Sequence, residues 1–260
     1  MLIAIPIWNP QRDAYTDIAQ QVLTNLLQNV ARPQLDRVIV SDNASCAEMH
    51  AIYSELGNKH ANFSVIYNSH NLGIAEATNV AWRQATPDEI VVKMDSDCFI
   101  RTPGWPELVE LVFAKDDSIG ILGLKRRDCE ESPTACGFYR SKLFYLKRKK
   151  GERWVPLEEV NHVMGTCYAF HPKMRREFGY LMQPGSVYGF DDSLAAVRAH
   201  KLGYKTCFLP QIDIDHLDPP NVHTNPYAIW KERHAGAHMA AYNNLRVKIE
   251  SGEVSPYCEP

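Results

Sequence analysis

The sequence predicts an α/β fold, a mostly parallel Rossmann-like sheet with helices on both faces. Two observations carry this. Apolar runs of strand length alternate with segments of helical periodicity over the first half of the chain, which is the rhythm of βαβ units. The composition is globular, with 45% hydrophobic and 23% charged residues, and 260 residues suit one core of this class.

The elements follow in order. LIAIPI (2–7) reads as the first strand, and Ile18, Val22, Leu26 and Val30 then recur at helical spacing. RVIV (37–40) is the second strand, followed by a helix over about Ala47 to Leu56. FSVIY (63–67), a helix from about Ile74 to Gln84 and the strand EIVVKM (89–94) continue the pattern. A helix after Pro103 leads to SIGILGL (118–124). Residues 125–160 break the rhythm with clustered charges, Pro133, Gly137 and the turn-like KRKKGER, so a hairpin or long functional loop is expected there. An apolar stretch from Val163 to Phe170, a helix from about Asp191 to Leu202, a strand from Cys207 to Ile214 and a helical tail from about Pro226 to Ile249 complete the chain. No linker, internal repeat or low-complexity segment divides it, so residues 1–260 read as one domain. Its parts are a nucleotide-binding half (1–100), an acceptor and catalytic half (101–218) and the C-terminal helical tail (219–260).

Composition excludes several classes. No run approaches the roughly 18 apolar residues of a membrane span, and the N-terminus lacks a basic flank and small-residue cleavage site, so a cytoplasmic location is expected. Seven cysteines without a CxxC pair fit neither a disulfide framework nor a zinc site. The net charge of −3 conceals a basic segment over 125–153, where Lys125, Arg126, Arg127, Arg140, Lys142, Lys147, Arg148, Lys149, Lys150 and Arg153 face four acidic residues.

Ligands of open α/β sheets bind beyond the carboxyl ends of the strands, and EIVVKM delivers Asp95-Ser96-Asp97 at such an end. Strand alternation sends both carboxylates to one side, giving hard oxygen donors suited to Mg²⁺ or Mn²⁺. Alone, an Asp-x-Asp is more often a solvated turn before a helix. Here other signals accompany it in a set order. Pro6-Ile7-Trp8-Asn9 ends the first strand, and Val40-Ser41-Asp42-Asn43-Ala44-Ser45 ends the second. Asn71-Leu72-Gly73 leads into a helix carrying Asn79. Gly189-Phe190-Asp191-Asp192 precedes Arg198 by six residues and Gly203-Tyr204 by a further five and six. His216 closes the strand Ile212-Asp213-Ile214-Asp215.

Together these residues resemble the GT-A fold glycosyltransferases of the family 2 type, over most of residues 1–218. The resemblance implies that Pro6, Asn9, Asp42, Asn71, Gly73, Asn79 and Asp95 hold the nucleoside of a sugar nucleotide, with Asp42 on the base or ribose. It implies that Asp97 and His216, with Asp95 directly or through water, ligate Mn²⁺ or Mg²⁺. It further implies inversion at the anomeric carbon with Asp192, or in second place Asp191, as the base. Two departures stand out: Asp191 occupies a position where the family usually has Glu, and Leu194 one where a third acidic residue is frequent.

A divalent cation bridging the phosphates makes a nucleoside diphosphate a competent leaving group, and a carboxylate must accept the acceptor's proton. The expected donor is a nucleoside-diphosphate sugar, UDP-type first, with Lys93, Arg101 or a basic loop residue as candidate phosphate contacts. Trp154 and Tyr188 are the candidate acceptor-stacking aromatics. Without an evident membrane anchor, a glycan or small-molecule acceptor is expected, and the basic segment 125–153 adds hydroxymethylated phage-type DNA as a candidate. Two other readings compete. A sugar nucleotidyltransferase lacks its Gly-rich phosphate loop in IAIPIWNPQRD, and a non-catalytic nucleotide- or sugar-binding relative has no need of five converging Asp and His residues. A Rossmann dehydrogenase is disfavoured because no GxGxxG follows the first strand. In the tail, Trp230, His234, His238 and Tyr242 share helical spacing and are read as closing the active site or pairing subunits.

Overall fold

The computed structural model describes residues 1–128, 141–146, 154–185, 187–219 and 226–259, excepting the side chains at 30, 141 and 226–228. Its elements run β1 (Leu2–Ile7), α1 (Ala14–Asn25) with a π-turn (Leu26–Val30), β2 (Arg37–Asp42), α2 (Ala47–Lys59) and β3 (Phe63–Tyr67). Then come α3 (Ile74–Trp82), β4 (Val91–Met94), β5 (Cys98–Ile100), α4 (Trp105–Lys115), β6 (Ile119–Arg126), β7 (Ser141–Leu146) and β8 (Val155–Val160). β9 (Cys167–Phe170), α5 (Pro172–Phe178), α6 (Asp191–Lys201), β10 (Lys205–His216) and α7 (Pro226–Ser251) finish the order.

The strands form one sheet in the order β3-β2-β1-β4-β9-β6-β10-β8-β7, with β5 paired to β10. β3, β2, β1 and β4 are mutually parallel, and β10 is parallel to β6. β9 lies antiparallel between β4 and β6, and β8 and β7 extend the far edge as an antiparallel hairpin. Only β9 and β8 therefore run against the other strands on that path, so the predicted mostly parallel α/β sheet holds.

Alternation along β1 shows why the sheet is covered on both sides. Ile3, Ile5 and Ile7 join a core with Val38, Val40, Val22, Leu23, Met49 and Trp105 under α1, α2 and α4. Leu2 and Ala4 face a second core with Ile39, Trp82, Phe170, Phe178 and Tyr204 under α3, α5 and α6. The helix expected through Val30 loosens at Leu26, where Ala31 N–H reaches back five residues to the Leu26 carbonyl at 2.8 Å. The wider turn lets adjacent Leu26 and Leu27 both bury.

Within the segment expected to hold a hairpin, β7 and β8 pair from Ser141↔Val160 to Leu146↔Val155. The basic residues Arg140, Lys147, Arg148, Lys149, Lys150 and Arg153 lie outside the described residues. Among those described, no helix is long and apolar enough to cross a membrane.

Candidate active site

The parallel registers set the carboxyl ends of β1, β2 and β4 side by side, so the segments after Ile7, Asp42 and Met94 share one edge. Asn9 is held there by its backbone, donating to Ser45 Oγ at 3.0 Å and accepting from Cys46 N–H at 2.8 Å. With its amide oxygen toward Thr16 N (3.1 Å) and Oγ1 (2.7 Å), and its nitrogen toward Gln11 O (2.9 Å), the side chain braces the entry to α1. Asn43 donates to Asn71 Oδ1 at 3.2 Å and accepts from Asn68 Nδ2 at 3.0 Å, tying the loop after β2 to the loop after β3. Asn71 Oδ1 in turn accepts from Gly73 N–H at 2.9 Å. Gly73 has φ +84°, and a Cβ there would lie 2.8 Å from Val187 Cα and O, so the position requires glycine.

Asp42 ends β2. It is buried, and both of its oxygens are taken within the protein: Oδ1 accepts from Tyr53 hydroxyl at 3.0 Å, while Oδ2 meets Ser45 N–H at 3.1 Å and His50 Nε2 at 3.2 Å. These bonds fix the loop after β2. Asn79 exchanges bonds with the backbone of Leu181 at 3.0 and 2.9 Å across 102 residues. Trp154 is 55% exposed just before β8, away from the cavity described below.

Asp97 and His216 meet because β5 folds back against the end of β10, pairing Cys98 with His216 and Ile100 with Ile214. Leu217 N–H also donates to Asp97 O at 2.8 Å. Asp97 Oδ2 lies 3.3 Å from His216 Nε2, and Asp218 Oδ1 lies 3.4 Å from the other ring nitrogen. Asp97 Oδ1 is buried without a hydrogen-bond partner. Burial raises the Asp97 carboxyl above its ordinary range, while His216 pulls it down. No group of three or more His, Cys, Asp or Glu that encloses a metal occurs among the described residues. The orphaned oxygen and imidazole nitrogen nonetheless fit a divalent cation that takes its remaining ligands from phosphate and water, as Mg²⁺ and Mn²⁺ sites do.

Lys93 was a candidate phosphate contact, yet its ammonium is buried and spent on Asp95 Oδ1 and the Gly165 carbonyl. Burial works to lower its pKa, and the charges of Asp95, Asp191 and Asp192 more than reverse this, raising it. Arg101 is similarly bound to Asp215. Lys93 thus acts as the counter-ion that lets three carboxylates crowd this edge of the sheet.

The acid pair opens α6 next to Lys93. Gly165 N–H donates to Asp192 Oδ2 at 2.7 Å, and Ser193 N–H to Oδ1 at 2.6 Å. Asp191 is 5% exposed and lies against the buried Tyr168 hydroxyl, whose pKa is raised by burial first and then by the charge of Asp191. Burial first, then Asp192 and Asp95, push the Asp191 carboxyl up to about 6 against the pull of Lys93. Phe190, which precedes the pair, sits in the left-handed region at φ +63° and stacks on Tyr242 of α7 at 5.1 Å. A non-glycine residue in that region stores strain, a feature concentrated at functional sites.

A cavity of about 650 Å³ opens beside these groups, lined by Pro6, Asn9, Asn71, Gly73, Asp95, Asp97, Tyr188 and His216 among the expected residues. It is also lined by Trp8, Asp13, Tyr15, Asn43, Trp230 and Lys231, which the sequence did not single out as ligand contacts. Trp8 lies inside the Pro-x-x-Asn signature, and Trp230 belongs to the aromatic spacing in the tail, so both signals were available. Asp191 and Asp192 stand beside this wall, linked to it through Lys93 and Gly165.

The largely parallel sheet, the cavity at its carboxyl edge with Asp95 and Asp97 in its wall, and the acid pair that opens α6 beside it are the arrangement expected of the GT-A fold class. Solved structures agree in fold. PcManGT, a mannosyltransferase from Pyrobaculum calidifontis in complex with GDP-Man and Mn²⁺, matches with a TM-score of 0.67 at 18% identity, covering 95% of this chain and 64% of that one. GalNAc-T7 with UDP, GalNAc and Mn²⁺ matches at 0.62 and 14% identity, covering 86% and 44%. TarS from S. aureus in complex with UDP-GlcNAc matches at 0.57 and 15% identity, covering 86% and 60%. The chain therefore spans less than two thirds of each of these proteins. Comparison with curated protein sequences found no match. The family model "Glycosyl transferase family 2" matches residues 3–175, and the chain belongs to that family.

Proposed function

We propose that this glycosyltransferase is a metal-dependent, inverting enzyme that moves a sugar from a nucleoside diphosphate to an acceptor hydroxyl. The observation that supports it best is the convergence of Asp95, Asp97 and His216 on one cavity wall, with an orphaned Asp97 oxygen among them. Asp97 and His216 would hold the cation, and Asp95, fixed by Lys93, would face the ribose. When bound, the cation supplies Lewis-acid neutralisation of the diphosphate.

Asn71 and Asn43 offer amide donors and acceptors to the nucleoside, and Gly73 keeps the backbone of the α3 turn close to residue 187. The acceptor oxygen attacks the anomeric carbon and forms the new glycosidic bond. The bond to phosphate breaks with its electron pair leaving on the diphosphate. The acceptor's proton passes to Asp192, which is more accessible than Asp191 and held in direction by Gly165 and Ser193 N–H groups. Trp8, Tyr15, Tyr188 and Trp230 around the cavity favour a ring-bearing acceptor such as a glycan. The whole chain acts as one domain in this reading, in the reducing cytoplasm that the free Cys46, Cys98, Cys167, Cys207 and Cys258 suit.

Calorimetry with a panel of nucleoside diphosphates and sugar nucleotides, each with Mn²⁺, Mg²⁺ or chelator, tests the proposal. One nucleotide binds only with metal, Asp97→Ala abolishes that binding, and Asp192→Asn keeps it while slowing nucleoside diphosphate release about 10²–10⁴-fold. Metal-independent binding, or full turnover in Asp192→Asn, would contradict the respective assignment.

A further inference from the structure

We propose that Tyr242 of α7 is a positioning residue for the acid pair: its ring holds Phe190 in the left-handed backbone that joins the cavity wall to the start of α6. The inference rests on the reading of Asp192 as the base given above. It assigns a role to a helix that lies beyond the segment matched by the family model.

Phe190 is a joint with one part of the site on each side. Before it, Val187 and Tyr188 line the cavity, and Ile74 N–H donates to Val187 O at 3.1 Å, which ties this wall to α3. After it, Asp191 and Asp192 open α6. The backbone angles at Phe190, φ +63° and ψ 12°, therefore set how the acid pair faces the cavity. Gly189 is also left-handed, at φ +96°, and as a glycine it adopts that conformation without strain. A phenylalanine does not, because its Cβ crowds the following carbonyl oxygen. Nor does its side chain carry an atom that could cap the helix.

The compensating contact comes from α7. The Phe190 and Tyr242 rings stack with centroids 5.1 Å apart and planes 18° apart. Such a pair is worth an amount of the same order as the cost of one left-handed residue, so the stack decides whether Phe190 keeps this backbone. Tyr242 is partly buried and within electrostatic reach of the base. Burial first, with Glu250 and Asp192 adding to it against Arg246, raises the pKa of its hydroxyl. Gly165 and Ser193 N–H groups aim the Asp192 carboxylate, and the stack fixes the backbone that carries it.

The same face of α7 makes the neighbouring contacts. His238 packs over Gly189, with Nδ1 3.7 Å from where a Cβ would stand, and Ala241 Cβ lies 3.0 Å from the corresponding point at Gly185. His238, Ala241, Tyr242 and Ile249 share helical spacing, and Ile249 is fully buried. Lys201, the last residue of α6, donates to Glu250 O at 2.8 Å and ties the ends of the two helices together. Tyr242 is thus presented from a helix anchored on both sides of it.

The test compares wild type with Tyr242→Leu, Tyr242→Phe and Phe190→Leu. Hydrogen exchange is read at Ser193 and Leu194, whose N–H groups meet Asp192 Oδ1 and the Phe190 carbonyl at 2.6 and 2.9 Å. Release of nucleoside diphosphate from the preferred donor is read with water as the acceptor. In Tyr242→Leu the two amides exchange roughly fivefold faster or more and kcat falls about five- to tenfold. The donor's KM and the calorimetric affinity for the nucleoside diphosphate with Mn²⁺ stay as in wild type. Tyr242→Phe keeps the stack and behaves as wild type. Phe190→Leu reproduces Tyr242→Leu, and the double variant loses little more than either; each Leu variant serves alone if the other does not fold. Unchanged exchange and turnover in a folded Leu variant overturn the inference. Equal impairment in Tyr242→Phe overturns it too, since the hydroxyl would then be the acting group, and so does a parallel loss of nucleotide affinity, since α7 would then be shaping the donor cavity. A wild type that binds no nucleoside diphosphate overturns the donor reading instead, and the exchange measurement, which needs no ligand, still decides on the stack.

Discussion

Asp191 shows how one buried carboxyl reports on the site. Its pKa is raised to about 6, chiefly by burial and then by Asp192 and Asp95, while an unfolded aspartate titrates near its ordinary 3.8. Between those values the folded chain holds more protons than the unfolded one, so this group's contribution to stability is full below about pH 4 and is lost as pH rises through 6. The loss is at most about 3 kcal/mol, because a tenfold change in a proton-binding constant corresponds to about 1.4 kcal/mol. Asp191→Asn removes the titration. Its melting temperature relative to wild type is expected to climb by several degrees between pH 4 and pH 7 in scanning fluorimetry, and a constant difference would refute the assignment. Side-chain identity alone suggested an acid pair but left its division of labour open. Burial separates the two, Asp191 inside against Lys93 and Asp192 toward the opening.

At the scale of elements, Arg198 holds the C-terminal tail to α6. It is fully buried, donating to Pro256 O and Tyr180 O at 2.7 Å each and to Phe178 O at 2.5 Å, with its guanidinium 3.6 Å above the Phe178 ring. Burial pushes it down to about 9. Arg198→Met keeps much of the volume but strands the Tyr180 and Pro256 carbonyls, while Phe178 O keeps the Cys258 N–H at 3.0 Å, and this is expected to cost about 2–4 kcal/mol. Residues 252–259 should then become the first site of limited proteolysis; an unchanged melting temperature and digestion pattern would show that the carbonyls find other partners. The spacing from Asp192 to Arg198 to Gly203-Tyr204 was legible in sequence, whereas the purpose of the arginine was not. Nothing local to Arg198 indicates that its partners lie 18, 20 and 58 residues away. The inserted antiparallel β9 was hidden for a similar reason, since an apolar run has the same appearance in either strand direction.

For the whole molecule, the site is assembled from both ends of the chain, with Pro6 and Lys231 on the same cavity. A ligand binding only the folded state stabilises by RT ln(1 + [L]/Kd), about 2.7 kcal/mol at a hundredfold excess over Kd. The cognate nucleoside diphosphate with Mn²⁺ is therefore expected to raise the melting temperature by roughly 5–10 °C, and chelator to cancel the rise. A rise that survives chelation would show that nucleotide binding does not require metal.

The class of fold and the identity of the acidic triplet follow from the amino-acid order alone, because strand and helix periodicity and the Asp-x-Asp at a strand end are local properties of the chain. Pro6, Asn9, Asn71, Gly73, Asp95, Asp97 and His216, which the resemblance to family 2 glycosyltransferases implies, and Tyr188, an aromatic beside the acid pair, line one cavity. Which polar groups were left for a ligand was settled in three dimensions. Asn79, Lys93 and Arg101 bond to partners 102, 72 and 114 residues away, and Asp42 bonds to Ser45, His50 and Tyr53 of the loop and helix that follow it. Hydrogen-bond capacity is finite, and its allocation depends on contacts that no local pattern encodes.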